Sequence, residues 1–560
     1  MERNISVRLQ RNMAEEAMTP QRELKMRGGF NTPDPLARFL VDWAVRSPHD
    51  RCIDPSSGDA IFLQEAIYKL QHFGANISSA VGQVMGVEID QPTARQSRRK
   101  LARAFDQSPK ILAKGFFEVL PTLEAESLDV YCGNPPFLRY RNFDKVEREL
   151  ALGFMKNQGF SASKLTNAWV PFLVAGFHLL KPKGRLAMVM PAELLQVSYA
   201  ADIREYLINK FGFIYVVSFS RLVFTDVQQE VVLLMGTKGE GQGMRLVEVN
   251  DASDLESIPR RAMPPQIPIQ NSKEKWTQYF LSDDQRSLMR KALDRPRIRK
   301  FGEIASVDVG VVTGLNDFFI LTRELASKLE AEPHLQAVVA RTMNLKGATF
   351  SKADWESNSA QGQPAYLLSV NQLQEFSEAL NSYLKRGKDA KVDENYKLSI
   401  RDPWYVVPSV WVPDAFMFRQ IGTFARMVIN GAEATCTDTI HRVKFNNKKR
   451  GKTITASFHN SITLAFGEIF GRSYGGGVLE LMPTEAEKLP IPDVDNSNGL
   501  LSEVDKLLRD GQHEEAVALV DKRVLQEDLG FRASEIELFR KARNDLSRRR
   551  KTRKAIARSP

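Results

Sequence analysis

Between Gly28 and about Lys238, short apolar runs alternate with segments of helical pattern, and this alternation constrains the fold more than any other feature of the chain. The runs fall at 51–54, 84–88, 111–114, 129–132, 185–190, 213–219 and 231–235. A short continuous run of aliphatic and β-branched residues, bounded by polar residues or Gly and Pro, reads as a strand buried on both faces. Strands of that kind separated by helices build a parallel sheet, because parallel neighbours need a long crossover. The amphipathic stretch 167–180 is one such crossover. The last two runs lie too close together to enclose a helix, so they read as an antiparallel hairpin added to the sheet edge, with Phe224-Thr225-Asp226 between them. The expectation is an α/β, Rossmann-like domain on a mostly parallel seven-stranded sheet.

Open sheets of this kind bind ligands at the carboxyl ends of their strands. Three segments fall there. Asp54-Pro55-Ser56-Ser57-Gly58-Asp59 follows the first run and opens a helix, and its small residues let a ligand approach the backbone. It has neither the Gly-Lys-Ser/Thr of a phosphate loop nor the three-glycine dinucleotide fingerprint. Asp54 at the strand end favours a cationic ligand. Glu88, ending the second run, can accept both hydroxyls of a ribose. Asn134-Pro135-Pro136-Phe137 follows the fourth run. Its prolines remove two backbone donors and fix two φ angles, so the carbonyls there cannot enter a helix. An Asn amide oxygen and a neighbouring carbonyl can take both N–H bonds of an amino group while the aromatic ring covers a flat base. Asn-Pro also opens ordinary turns. Its place behind Asp54 and Glu88, on one sheet edge, is what makes the tetrapeptide more than a turn.

At 560 residues the chain is too long for one core, and two to four domains are expected. Residues 1–27 read as a polar helical arm and 28–245 as the α/β domain. Gly239, Gly241 and Gly243, then Pro259, Pro264, Pro265 and Pro268, mark a linker over 246–272. Residues 273–495 read as a mixed α+β domain and 496–560 as a helical segment with a basic tail. The formal charge is +10, but residues 540–560 hold ten Lys or Arg and one acid, Asp545, which leaves the remainder near neutral. Such a tail contacts polyanions or stays solvated. Lys448, Lys449, Arg450 and Lys452 form a basic loop suited to phosphate contacts, while the aromatic stretch Trp404–Phe418 reads as core. Cys52, Cys132 and Cys436 are too dispersed for a disulfide framework or a zinc site, so no metal is expected and a reducing cytoplasm fits. No run of about 18 apolar residues predicts a membrane span, and the N-terminus lacks the order of a signal peptide.

These motifs resemble an S-adenosylmethionine-dependent adenine-N6 DNA methyltransferase of the gamma class, which carries an N-terminal catalytic domain and a C-terminal target-recognition domain. The family's Thr-Pro motif matches Gly29-Phe30-Asn31-Thr32-Pro33, implying Thr32 at the methionine carboxylate. Its cofactor loop matches Asp54 to Leu63, implying Asp54, Ser56 and Gly58 there, and its ribose acid matches Glu88. Its catalytic motif is Asn134, Pro135, Pro136 and Phe137. Phe137 and Phe224 are implied at the faces of the target base. There are two departures. The family's Asp, which binds the adenine amino group of the cofactor, is replaced by Gly115, followed by Phe116, which is left to stack on the adenine. Ala60 stands where a second glycine is frequent. Over the C-terminal half the resemblance rests on architecture and on pieces such as Gly310–Phe319 and Leu489–Pro492.

The resemblance implies methyl transfer from S-adenosylmethionine to adenine N6 in double-stranded DNA after the base leaves the helix. It also implies a monomer in the cytoplasm, associated with the nucleoid, and is compatible both with a separately encoded restriction endonuclease as a partner and with an orphan enzyme. The tail from Arg540 would add salt-sensitive affinity for DNA. The same tetrapeptide occurs in enzymes acting on glutamine side chains or RNA, whose chains are usually much shorter. Cytosine-N4 enzymes more often carry Ser in place of Asn134. A degenerate fold that binds DNA without modifying it is a further reading. A fused nuclease would need Pro-Asp followed at plausible distance by Asp/Glu-x-Lys, and no such pair is found.

Overall fold

The computed structural model describes residues 31–161, 167–224, 230–239, 243–258, 273–370, 375–474, 477–495 and 499–556. The chain divides into two compact units, Met1–Lys275 and Trp276–Pro560. The expected N-terminal arm, Gly29, Phe30, Thr225 and Asp226 lie outside the described residues, as does most of the expected linker.

The first unit is built on an eight-stranded sheet. Its strands are β1 (Cys52–Asp54), β2 (Val84–Val87), β3 (Lys110–Leu112), β4 (Leu128–Gly133), β5 (Leu180–Pro191), β6 (Phe211–Phe219), β7 (Val231–Lys238) and β8 (Met244–Val249). The order across the sheet is β3-β2-β1-β4-β5-β7-β6-β8. β1 to β5 pair in parallel with their neighbours, and β7 runs antiparallel to both β5 and β6. The mostly parallel sheet is as expected, with two differences. The hairpin of β6 and β7 does not simply extend the edge, because its second strand inserts between β5 and β6. The edge itself is β8, parallel to β6, in a segment that the sequence places largely in the linker. Arg245 and Glu248 break its apolar run. An edge strand has one neighbour and tolerates such charges, so its pattern is not that of a buried strand.

Helices cover this sheet. α1 (Asp34–Ala44) buries Leu36, Ala37, Phe39, Leu40, Val41, Trp43 and Ala44. Pro35 lies in its first turn, where a missing N–H leaves no hydrogen bond unmade. Burial of α1 therefore fixes Thr32, two residues before its start. α2 (Ile61–His72) is entered through Ala60, which adopts a left-handed conformation with φ 65°. That is the conformation glycine takes at least cost, and here an alanine holds it. α3 (Gln91–Phe105) is capped by Asp90, whose carboxylate accepts from Thr93 N at 3.1 Å. α4 (Phe116–Val119), α5 (Lys145–Asn157) and α6 (Trp169–Leu179) complete the elements that matter for the site.

The second unit holds a five-stranded sheet of 305–309, 440–445, 415–418, 427–431 and 349–351, in that order, and a four-stranded sheet of 320–321, 366–368, 335–339 and 435–436. Phe416 is fully buried and Trp404 packs on Phe318 and Phe319, so the two ends of this stretch are core, whereas Pro408, Ser409 and Val412 between them are exposed. α7 (Gly451–Phe458), α8 (Ser461–Phe470), α9 (Leu500–Arg509), α10 (His513–Val520) and α11 (Ala533–Ile556) follow. The basic tail is corrected here. It is the long helix α11, packed on α8, and several of its arginines point inward. Arg550 makes a bidentate pair with Glu468, both bonds 2.8 Å, with the two side chains 3% and 5% exposed. Arg543 pairs with Glu514 and Arg540 with Asp521. A count of charge along the tail misses these acids because all lie outside it. Among the described residues no helix is long and apolar enough to cross a membrane.

Candidate active site

The parallel strands β4, β1, β2 and β3 deliver four loops to one edge of the sheet. In spatial order these are the loops at Asn134, at Asp54–Asp59, at Glu88 and at Gly115. Thr32 joins them from the start of α1.

Asn134 is held at two points. Its Nδ2 donates to Thr32 Oγ1 at 3.2 Å, and its main-chain carbonyl accepts from Ser56 Oγ at 3.0 Å. With the amide nitrogen turned to Thr32, the amide oxygen is directed to the opposite side as an acceptor. The preceding residue, Gly133, has φ 155°, and a Cβ there would lie 2.5 Å from Asp54 Oδ1. Glycine is therefore required for the close approach of Asp54. That carboxylate also accepts from Ser56 N at 3.0 Å and is only 1% exposed. Burial pushes its pKa well above the usual carboxylate range, and Glu88 and Asp59 add to the shift. Expected to face a cationic ligand, Asp54 instead braces the β1 loop against the end of β4.

Glu88 spans two loops. Its Oε2 accepts from Gly58 N at 2.9 Å and its Oε1 from Asp90 N at 2.8 Å. An ionised carboxylate is acceptor-only and can take hydroxyl groups as well as backbone donors. Beside it, Gly58 has φ 47°, and a Cβ there would meet nothing within 4 Å. Ser57 Oγ is buried and has no hydrogen-bond partner among the described residues. An open, side-chain-free backbone next to an acid that can take two hydroxyls fits a nucleoside. Thr32, Gly58 and Glu88 are the residues that would hold S-adenosylmethionine here.

Gly115 has φ −66° and ψ 145°, a conformation open to any residue. Glycine is needed there for space alone, because a Cβ would overlap the carboxylate of Glu147. Glu147 comes from α5. Its Oε2 accepts from Phe117 N at 2.9 Å and its Oε1 from Glu118 N at 3.1 Å. It is 4% exposed, and burial raises its pKa. Sequence reasoning missed this residue. The available signal was an acid on the buried face of α5, in register with Ala151 and Met155. Phe116, expected against the cofactor adenine, is 2% exposed, with its ring stacked on Phe172 at 5.3 Å.

Phe224, 8% exposed, is a member of the apolar core cluster of this unit, and half-buried Phe137 packs against that cluster. In the second unit, Lys448 pairs with Asp414 at 3.1 Å and Arg450 with Asp493 at 2.6 Å. Lys449 and Lys452 are exposed. The segment 448–450 is a helical turn leading into α7 rather than an open loop.

A mostly parallel sheet of this order, with Asn-Pro-Pro-Phe at the end of β4, is that of a methyltransferase that uses S-adenosylmethionine. Comparison with known proteins narrows the class. The family model of the Eco57I restriction-modification methylase matches residues 68–224, and that of the C-terminal domain of the type II methyltransferase M.Eco57I matches 273–525. The type II methyltransferase M.AccI of Acinetobacter calcoaceticus is 22% identical, with 86% of this chain and 93% of that protein covered. M.XamI of Xanthomonas campestris pv. amaranthicola is 23% identical, with 84% of this chain and 86% of that protein covered. The structure of the type IIL restriction-modification enzyme MmeI in complex with DNA shares the fold at TM-score 0.55 and 13% identity, over 92% of this chain and 75% of that one. Two models of the Eco57I methylases thus match separate stretches of the chain, and the relatives it resembles are type II DNA methyltransferases of restriction-modification systems.

Proposed function

We propose that the protein methylates adenine at N6 in double-stranded DNA, taking the base out of the helix to do so. The observation that carries this reading is the fixed orientation of Asn134. Thr32 accepts from its amide nitrogen and Ser56 donates to its main-chain carbonyl, which sets the amide group at the end of β4.

S-adenosylmethionine supplies a methyl group already activated on a sulfonium centre. The protein must then orient a nitrogen whose lone pair is delocalised into the base. Asn134 Oδ1 and the Pro135 carbonyl accept the two amino hydrogens, which draws the nitrogen towards sp³ and localises its lone pair. The same acceptors stabilise the positive charge that grows on nitrogen during transfer. Phe137 and Phe224 hold the faces of the extruded base. No covalent bond to the protein is required.

The unit Trp276–Pro560 reads the DNA sequence in this account, and Lys449 and Lys452 contact phosphates. The protein acts as a monomer in the cytoplasm beside a separately encoded endonuclease. An RNA or glutamine substrate would leave a unit of that size without a role. Asn134→Ala tests the chemistry. Methyl transfer to DNA is lost, while S-adenosylhomocysteine binds within about threefold of the wild-type affinity, a change below 1 kcal/mol. Retained methylation in that variant would overturn the assignment.

A further inference from the structure

Gly115 and Glu147 interlock, and the loop they form is the outermost of the four on the ligand edge. The strand order sets what that loop meets. Moving away from Asn134 on β4, the edge passes Gly58 on β1, Glu88 on β2 and Gly115 on β3. A nucleoside whose ribose rests on Glu88 has its reacting substituent towards β4 and its base towards β3. The base therefore lies against the loop at Gly115.

That loop presents a carboxylate that does not belong to it. Gly115 needs no glycine for its backbone conformation, and its missing Cβ leaves the volume that the Glu147 carboxyl fills. α4 lacks a cap of its own, and Glu147 supplies one from α5 through Phe117 N and Glu118 N. The charged groups that act on Glu147 are Asp144 and Glu118, both acidic. A carboxylate buried beside like charges is costly unless it has donors to accept. The backbone uses two of its roughly four lone-pair directions, so the carboxylate has the capacity to accept from a further donor.

We infer that Glu147 is the residue that reads the exocyclic amino group of the cofactor's adenine, delivered from α5 into space that Gly115 vacates. Glycine at 115 and glutamate at 147 are then one device. An acid at 115 would need the space now held by Glu147, so the two positions are exchangeable as a pair and not singly.

The inference rests on the cofactor reading of the site but not on which DNA base is methylated, so its test uses no DNA. The full-length protein is titrated calorimetrically with S-adenosylhomocysteine and with S-inosylhomocysteine, which carries an oxygen where adenine carries the amino group. The wild type should prefer the adenosyl compound by about 10- to 100-fold, the range for a hydrogen bond to a charged acceptor. Glu147→Ala should bring the preference to within about twofold, a few tenths of a kcal/mol. Gly115→Asp combined with Glu147→Ala should restore it to about tenfold or more, the lower end of the same range. If Glu147→Ala does not fold, the double variant and the wild type carry the test. Equal binding of both compounds by the wild type overturns the inference. So does retained preference in a folded Glu147→Ala, or a folded double variant with no preference. Failure of the wild type to bind S-adenosylhomocysteine at all would instead remove the cofactor reading beneath it.

Discussion

Thr32→Val removes one hydroxyl and keeps the shape of the side chain, which makes it the sharpest probe of how Asn134 is oriented. Thr32 is 6% exposed, and its Oγ1 accepts from Asn134 Nδ2 at 3.2 Å. Valine leaves that nitrogen without this acceptor in a buried place. Leaving a buried donor unmade costs about 1–3 kcal/mol, and 3.2 Å is at the long end of the hydrogen-bond range, so about 1 kcal/mol is the appropriate figure. Expressed in the barrier, this lowers the methyl-transfer rate about fivefold. The Thr32 hydroxyl accepts from Asn134 and so keeps its own proton to donate to the cofactor carboxylate, and cofactor affinity should fall as well. Single-turnover methylation at saturating cofactor and DNA separates the two effects, because saturation hides the affinity loss. Thr32→Ser, which keeps the hydroxyl, should recover most of the rate. If Thr32→Val matches the wild-type rate at saturation and only the binding constant changes, Thr32 serves the cofactor alone and the positioning argument fails.

Three further outcomes follow from the second unit. Arg550→Met leaves the Glu468 carboxylate buried without its guanidinium and should destabilise the protein by about 3–5 kcal/mol, read by denaturant unfolding, whereas Arg548→Ala on the exposed face should change stability by about 0.5 kcal/mol or less. His459 is fully buried, its Nδ1 lies 3.0 Å from the Thr455 carbonyl, and its pKa is lowered to about 3, first by desolvation and then by Arg426. Its folded pKa lies below the unfolded one, so its contribution is intact above the unfolded value and is lost as pH falls from there towards 3. Between pH 7 and 5 this amounts to about 2 kcal/mol, and His459→Gln should flatten the stability profile by that amount. Replacing Lys449 and Lys452 by Gln should reduce the slope of log affinity for DNA against log salt by about 2, whereas Lys448→Gln should change it less because Asp414 already holds that charge.

The parts of the fold that could be read from the sequence are those whose environment is uniform. β1, β2 and β4 to β7 are mostly buried, so each shows as a largely apolar run, while the helix between β4 and β5, read as amphipathic, is buried on nearly all sides. β8 escaped because its charges are tolerable only at an edge. The order of β6 and β7 escaped because a hairpin pattern does not say which strand faces the rest of the sheet. Within the site, residues that act through their own loop were visible, as Asn134 and Glu88 were. Residues that act across the fold were not. The bond between Thr32 and Asn134 joins elements far apart in the chain, and nothing local to Glu147 says that it fills the space beside Gly115. The same limit misled the reading of the tail. Ten cations in sequence look like a solvated arm, but Glu468, Glu514 and Asp521 meet several of them inside the second unit.

In the proposed mechanism, Asn134 and the Pro135 carbonyl clamp an adenine amino group for methylation. Mass spectrometry of nucleosides from DNA incubated with the purified protein and S-adenosylmethionine tests it directly. The account predicts N6-methyldeoxyadenosine with the wild type and none with Asn134→Ala. N4-methyldeoxycytidine in its place, or unmodified DNA from a protein that binds the cofactor, would contradict it.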